Sequence, residues 1–111
     1  MPHYFYRWQW QTTSVKAMTE TPQDRTAAAR EVIEGYGGKM LCYYFAFGEY
    51  DGLAICEFPD NASAAAFSLK AASSGAFARF ETTPLLTAGE AQEAMQRVKR
   101  GGVVYRPPTA V

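Results

Sequence analysis

The chain has 111 residues, of which 48% are hydrophobic and 14% are aromatic, so it is long enough to bury the core of one small domain. Its 11 basic and 11 acidic residues cancel, which argues against a nucleic-acid-binding protein that depends on a large positive charge. No stretch of about 18 apolar residues occurs, so we expect no membrane-spanning segment. The first residues lack the basic and apolar segments of a secretory signal, and we therefore expect a cytoplasmic protein.

The first predicted strand lies between Tyr4 and Trp10, where aromatic residues alternate with more polar ones, as in a half-buried strand. The polar segment 11–20 predicts no more than a short helical turn. Next, Thr21 as a cap and Pro22 at the first helical position predict the start of a helix that continues through 27–36.

A β-hairpin is predicted at the centre of the chain. Gly37-Gly38 ends the preceding helix, because glycine adopts the left-handed conformation at helix ends. Two apolar runs, 41–47 and 53–58, then flank the segment Gly48–Gly52, which is rich in glycine and acid. Such a pattern is typical of two antiparallel strands joined by a tight connection.

A second helix and a last strand follow the hairpin. The helix is predicted over 62–72 after caps at 60 and 61, and its small residues favour burial of the side formed by Ala62, Ala65, Ala66, Leu69 and Ala72. The strand is predicted over 77–83, and Pro84 is expected to end it.

An extra helix is predicted at the carboxyl end. Thr87 and Glu90 have the spacing of a capping box, and the domain is expected to cover 1–100, followed by a tail over 101–111. The element order is therefore β-α-β-β-α-β plus one helix. It predicts an α+β fold of the ferredoxin-like type, with an antiparallel sheet that carries both main helices on one face.

The alternation of each strand divides its residues between two faces of the predicted sheet. The face toward the helices is expected to hold Tyr4, Tyr6, Trp8, Ala54, Cys56, Phe58, Ala78 and Phe80. The opposite face is expected to hold His3, Phe5, Arg7, Gln9, Leu53, Ile55, Glu57, Phe77, Arg79 and Glu81. Its apolar members need a cover, which a second copy of the chain would provide.

The candidate site residues follow from this division. Charged groups among apolar neighbours need partners, so the opposite face predicts a small-molecule pocket between two sheets, an ion-paired dimer interface or a solvated sheet edge. Six residues are expected to line such a pocket: His3, Arg7, Tyr50, Glu57, Arg79 and Glu81. Tyr50 and Asp51 have a structural alternative, in which they hold the hairpin in place.

The cysteines and the single histidine carry no complete reactive group. Cys42 and Cys56 lack the spacing of a metal site or a disulfide scaffold, and in a cytoplasmic protein both thiols are expected to stay free. Whether they share a sheet face depends on the strand register. His3 is the only histidine and therefore the only candidate of that type for a general base. No metal ion, cofactor or catalytic set is predicted.

An ordered set of residues resembles the GYD domain family. The set comprises Gly48-Glu49-Tyr50-Asp51 after an aromatic strand, Gly37-Gly38-Lys39 before that strand, and Glu57 and Arg79-Phe80-Glu81-Thr82 after it. The resemblance covers about Pro2 to Val98. It implies a ferredoxin-like, dimeric α/β barrel in which two sheets pack face to face, and it brings no established activity.

Three functions remain open at this point. The first is a small-molecule-binding or interaction module whose partners are a second copy of itself and a small apolar or aromatic ligand, without nucleic acid or membrane. The second is a cofactor-independent enzyme, monooxygenase-like or isomerase-like, that acts on a small aromatic compound; it depends on analogy of fold. The third is a structural subunit whose tail holds a neighbouring copy.

Overall fold

The computed structural model describes residues 1–110, which form four strands and four helices. In chain order these elements are β1 His3–Trp10, α1 Thr12–Glu20, α2 Thr26–Gly35, β2 Lys39–Phe45, β3 Gly52–Glu57, α3 Asn61–Ala72, β4 Phe77–Leu85 and α4 Ala88–Arg100. The strands form one sheet in the order β2-β3-β1-β4, and each neighbouring pair is antiparallel. The predicted ferredoxin-like α+β fold with an additional carboxyl-terminal helix is confirmed.

One face of the sheet, with α2 and α3 packed on it, forms the core. The alternate residues Tyr4, Tyr6 and Trp8 of β1 are all buried there, as the alternation predicted. Each tyrosine has a partner for its hydroxyl group: Tyr4 donates to Asn61 Oδ1 at 2.6 Å and Tyr6 donates to the Ala64 carbonyl oxygen at 3.1 Å. The hydroxyls therefore anchor α3 while the rings fill the core.

The first half of the chain is more helical than the sequence predicted. The segment 11–20 forms a nine-residue helix, α1, which is tied to the start of β4 because Ser14 Oγ donates to the Ala76 carbonyl at 2.8 Å. The prediction that Thr21 and Pro22 begin the next helix is wrong. Asp24 Oδ1 accepts from the Thr26 amide at 2.9 Å, and this local turn delays α2 to Thr26.

The other helix ends agree with the sequence, but the buried side of α3 does not. Gly37 has φ +82° after α2, and Thr87 and Glu90 form the predicted capping box of α4. In α3 the buried residues are Ala64 and Phe67, whereas Leu69 is 69% exposed. Burial of one phenylalanine ring removes far more apolar surface from water than burial of several alanine methyl groups, so Phe67 decides which side faces the sheet.

A β-bulge in β4 corrects the predicted division of the sheet faces. Gln9 pairs with Arg79 and Trp10 pairs with Phe77, so Ala78 is left without a partner. The extra residue shifts the alternation by one position and brings Phe77, not Ala78, onto the helix-bearing face. The strand also continues through Pro84, which is tolerated because β4 lies at the edge of the sheet.

The last helix leaves the body of the domain. None of the residues of α4 is buried, and Met95 and Val98 are exposed. Residues 101–110 form neither helix nor strand, and the last residue of the predicted tail, 111, lies outside the described residues. The radius of gyration is 18.2 Å, against about 13 Å for a compact domain of this length. The carboxyl-terminal part thus projects as an arm.

Candidate functional site

Four of the six predicted site residues meet on the sheet face opposite α2 and α3, here called the open face. Arg7 Nε lies 2.9 Å from Glu81 Oε2, and Arg79 Nη2 lies 2.5 Å from Glu81 Oε1. The hydroxyl group of Tyr50 donates to Glu81 Oε2 at 3.0 Å. Glu81 is therefore the centre of a cluster formed with Arg7, Tyr50 and Arg79, which we call the Glu81 cluster.

Both arginines of the cluster lie close to the ring of Tyr50. The guanidinium carbon of Arg7 is 4.1 Å from the ring centroid, and that of Arg79 is 5.3 Å away. Both distances suit attraction between a cation and the face of an aromatic ring. Tyr50 thus contacts each arginine while both arginines keep their bonds to Glu81.

The loop between β2 and β3 places Tyr50 there. The Asp51 amide donates to the Trp8 carbonyl at 2.8 Å, and Asp51 Oδ2 accepts from the Trp10 amide at 2.8 Å. Gln9 Nε2 donates to the Glu49 carbonyl oxygen at 2.5 Å. These bonds continue the pairing with β1 beyond Gly52, the first residue of β3, and so hold the loop that carries Tyr50 against β1. The structural alternative for Asp51 holds, although its partner is β1 and not the turn itself.

The electrostatics of the cluster keep Glu81 charged. Desolvation raises the pKa of Glu81, but hydrogen bonds from Tyr50 and Arg7 and the charges of both arginines outweigh it and leave the pKa below its ordinary value. The pKa of Tyr50 is raised, first by desolvation and then by its bond to the Glu81 carboxylate. The cluster therefore contains a carboxylate and a neutral phenol at neutral pH, which suits binding and positioning rather than proton transfer.

The other two predicted residues lie elsewhere. His3 Nε2 is 3.2 Å from Glu57 Oε1, and the two residues pair across β1 and β3. His3 is four positions from Arg7 along β1, which corresponds to about 13 Å at the usual rise of a strand. The open face thus holds two separate polar groups, and the only histidine does not belong to the Glu81 cluster.

The cysteines lie on opposite faces of the sheet. A register shift between Met40 and Cys42 places Cys42 opposite Ile55 on the open face, whereas Cys56 is buried in the core. Both thiols are free. Burial raises the pKa of the Cys56 thiol to about 12. Cys56 is therefore a protonated, unreactive core side chain at neutral pH.

Sequence reasoning missed a cavity on the helix-bearing face. It has a volume of about 270 Å³ and lies between α2, α3 and the sheet, with Trp8, Trp10, Tyr43, Phe77 and Phe80 among its walls. The spacing of these aromatic residues fits a strand, so the sequence pattern indicates core residues and gives no sign of a cavity. The alanines at positions 28 and 29 of α2, which also line it, are the signal that the helix leaves space uncovered.

Within 1–110, the histidine, cysteine and acidic side chains form no group of three that would hold a metal ion. No helix there has the length and apolar character needed to cross a bilayer.

Comparisons with known proteins agree with the fold. A solved structure described as the crystal structure of FFRP-DM1 superposes with a TM-score of 0.50 at 13% identity, over 78% of this chain and 100% of that one. At this identity the likeness shows the fold alone. No curated protein matches the sequence significantly. The model of the GYD domain matches residues 4–95, which is most of the chain and includes Tyr50, Asp51 and Glu81. This protein therefore belongs to the GYD domain family.

Proposed function

We propose that this chain is an interaction module that pairs with a second copy of itself through the open face of its sheet. The main support is the composition of this face, on which an apolar row formed by Phe5, Leu53 and Ile55 lies beside the Glu81 cluster. The other face of the sheet is covered by α2 and α3. The apolar residues are only half buried within one chain. Packing two such faces removes this surface from water, the main driving force of association.

The charges of the open face suit an identical partner. The Glu81 carboxylate sits between two arginines, and His3 faces Glu57, so acids and bases are mixed within the face. The whole chain has no formal net charge. In a two-fold dimer each residue meets the same surface of its partner, and a face of mixed charge avoids the repulsion that a face of one sign would produce.

The projecting arm gives a second reason to expect another copy. Met95 and Val98 are 68% and 81% exposed on α4, and Val103, Val104 and Tyr105 of the tail are at least 80% exposed. Because the arm extends away from its own domain, its apolar side chains have little cover from their own chain. A neighbouring copy offers that cover, so the arm extends the interface beyond the sheet.

The oligomeric state in solution tests this proposal. Light scattering after size exclusion should give twice the 12.3 kDa chain mass at micromolar concentration. Ile55→Lys places a charge at the centre of the open face and should yield a monomer with an unchanged circular dichroism spectrum. Leu69→Lys is the matched control, since Leu69 is an exposed aliphatic residue of α3, and this variant should remain dimeric.

Two further measurements distinguish the contribution of the sheet face to the dimer from that of the arm. Met95→Lys combined with Val98→Lys should weaken the dimer less than Ile55→Lys if the sheet is the main interface. Labelling of Cys42, which lies on the open face, should slow as protein concentration rises through the dimer range. A wild-type chain that stays monomeric, or an Ile55→Lys variant that still dimerises, would contradict the proposal.

A further inference from the structure

The cavity between α2, α3 and the sheet lies apart from the open face and is not used by the proposed dimer. It is found where β1 ends, beside the start of α2 and the end of α3. An empty cavity of about 150 Å³ is large enough for benzene. At about 270 Å³, this one has room for a compound of two fused rings.

The walls of the cavity favour a flat aromatic molecule. The rings of Trp10 and Phe77 stack at 4.8 Å with an interplanar angle of 17°, and those of Trp8 and Phe80 stack at 6.0 Å with an angle of 12°. Tyr43, a further wall, contacts Trp8 with ring centroids 5.4 Å apart. Flat aromatic surfaces of this kind attract another aromatic ring by stacking and edge contacts.

Two buried donors lack acceptors in this region. The Nε1 atoms of Trp8 and Trp10 are buried, and within residues 1–110 neither has a hydrogen-bond partner. Trp8 is only 4% exposed. Buried N–H groups are almost always paired, because an unpaired one loses its bonds to water without replacement. Both Nε1 atoms are closed off from any space of the size of a water molecule, so the indoles offer a ligand in the cavity their ring carbons and not these donors.

The mouth of the cavity carries positive charge. Arg25 before α2 and Lys70 near the end of α3 both line it, and Lys70 is exposed. Neither cation forms an ion pair with an acid among the described residues, and Arg25 Nη1 donates to the Gln23 side chain at 3.1 Å. Both cations therefore remain available to an anionic group at the surface.

We infer that this cavity is a binding site for a small planar aromatic acid. Its rings enter between the aromatic walls, and its carboxylate stays at the mouth beside Arg25 and Lys70. Two fused rings fill the available volume, and the carboxylate at the mouth sets the orientation.

Two naphthalene probes, one with a carboxylate and one without, test the site directly. We choose 6-hydroxy-2-naphthoate, with neutral 2-naphthol for comparison, and calorimetry as the readout. The acid should bind, and Lys70→Gln or Arg25→Gln should weaken its binding about fivefold while leaving 2-naphthol unchanged, as expected for an exposed ion pair. Equal affinity for the two probes, or the absence of binding at millimolar concentration, would overturn the inference.

The location of binding is tested by filling the cavity. Ala29→Leu places a larger side chain in the space and should abolish binding, whereas Ala27→Leu, at an exposed position of the same helix, should not affect it. Ala71→Leu fills the cavity from α3 and replaces the first variant if that one fails to fold. Equal binding by the filled and control variants would place the ligand elsewhere and reject this site.

Nuclear magnetic resonance reports on the two indole rings that line the cavity. Trp8 and Trp10 are the only tryptophans of the chain, so a ¹H–¹⁵N spectrum has two indole signals, which Trp8→Phe and Trp10→Phe assign. The probe should move at least one of them, because its rings lie beside the indoles. Ile55→Lys should retain the response, which separates failure of this site from failure of the dimer; unchanged indole signals under saturating probe would contradict the proposed site.

Discussion

The hydroxyl group of Tyr50 donates a 3.0 Å hydrogen bond to the carboxylate of Glu81, and this bond joins the β2–β3 loop to the edge strand β4. In the sheet, β1 lies between β3 and β4, and the ring of Tyr50 lies 4.1 Å from the guanidinium carbon of Arg7 on that strand. The tyrosine of the motif that names the family therefore connects the loop to β4 past a side chain of β1.

Removal of the Tyr50 hydroxyl should destabilise the loop without disturbing the strands. Tyr50→Phe keeps the ring near Arg7 and Arg79 and loses only the bond to Glu81. We expect a lower urea midpoint than in wild type, and no change for Tyr44→Phe, whose side chain is exposed on β2. In the double variant Tyr50→Phe with Glu81→Gln, the loss of unfolding free energy should be smaller than the sum of the losses in the two single variants. Strict additivity would show that the two side chains do not interact.

The stability supplied by Glu81 should depend on pH. Its pKa in the folded chain lies below the ordinary value of 4.5, so the folded state holds the charged form more strongly than the unfolded state does. The contribution is complete above that ordinary value and is lost as pH falls through the folded pKa. The difference in unfolding free energy between wild type and Glu81→Gln should therefore shrink below about pH 4.5. A difference that grows on acidification would contradict the assignment.

The hydrogen bonds of Asp51 should be the main contacts that hold the loop against β1. Asp51→Ala leaves the amide of Trp10 without its acceptor and should cost about 1–3 kcal/mol of unfolding free energy. Asp51→Asn retains a side-chain oxygen and should cost less. Glu49→Ala serves as control, because Glu49 is an exposed residue of the same loop. Chemical denaturation measures all three, and an equal loss from Glu49→Ala would refute the role of Asp51.

A side chain at position 52 should clash with the indole of Trp8. A Cβ atom at this position would lie 2.5–2.7 Å from ring atoms of Trp8, whereas one at Gly48 would meet no atom within 4 Å. Gly52→Ala should cost about 1–3 kcal/mol through overpacking, and Gly48→Ala about 0.5 kcal/mol or less. Both are compared by urea unfolding followed through tryptophan fluorescence. Equal stability of the variants would mean that the indole moves aside freely.

The two thiols should differ strongly in reactivity. Burial raises the pKa of Cys56 from 9.0 to about 12, which keeps it protonated at pH 8, while Cys42 is half-buried on the open face. In dilute native protein, a disulfide reagent should label Cys42 in the Cys56→Ser variant more than about a hundredfold faster than Cys56 in the Cys42→Ser variant. Similar native rates would show that the core opens readily, and in denaturant both rates should converge.

Local sequence patterns predicted the order of the four strands and much of the core, although they missed helix α1. The alternation of Tyr4, Tyr6 and Trp8 is a local pattern, and so is the capping box of Thr87 and Glu90. Such features depend on residues a few positions apart, whose geometry the backbone sets. The motif around Tyr50 and Asp51 also identified the family before any contact of either residue was known.

Long-range packing, and not the local sequence pattern, sets where the polar residues meet and where the cavity remains. Arg7 and Glu81 are 74 positions apart, and the bulge at Ala78 turns Phe77 from the open face to the core. The alternation does not reveal a bulge, because one additional residue reverses every later side chain without altering composition. The cavity beneath α2 and α3 likewise depends on how far the helices stand from the sheet, a distance set by the packing of the whole chain.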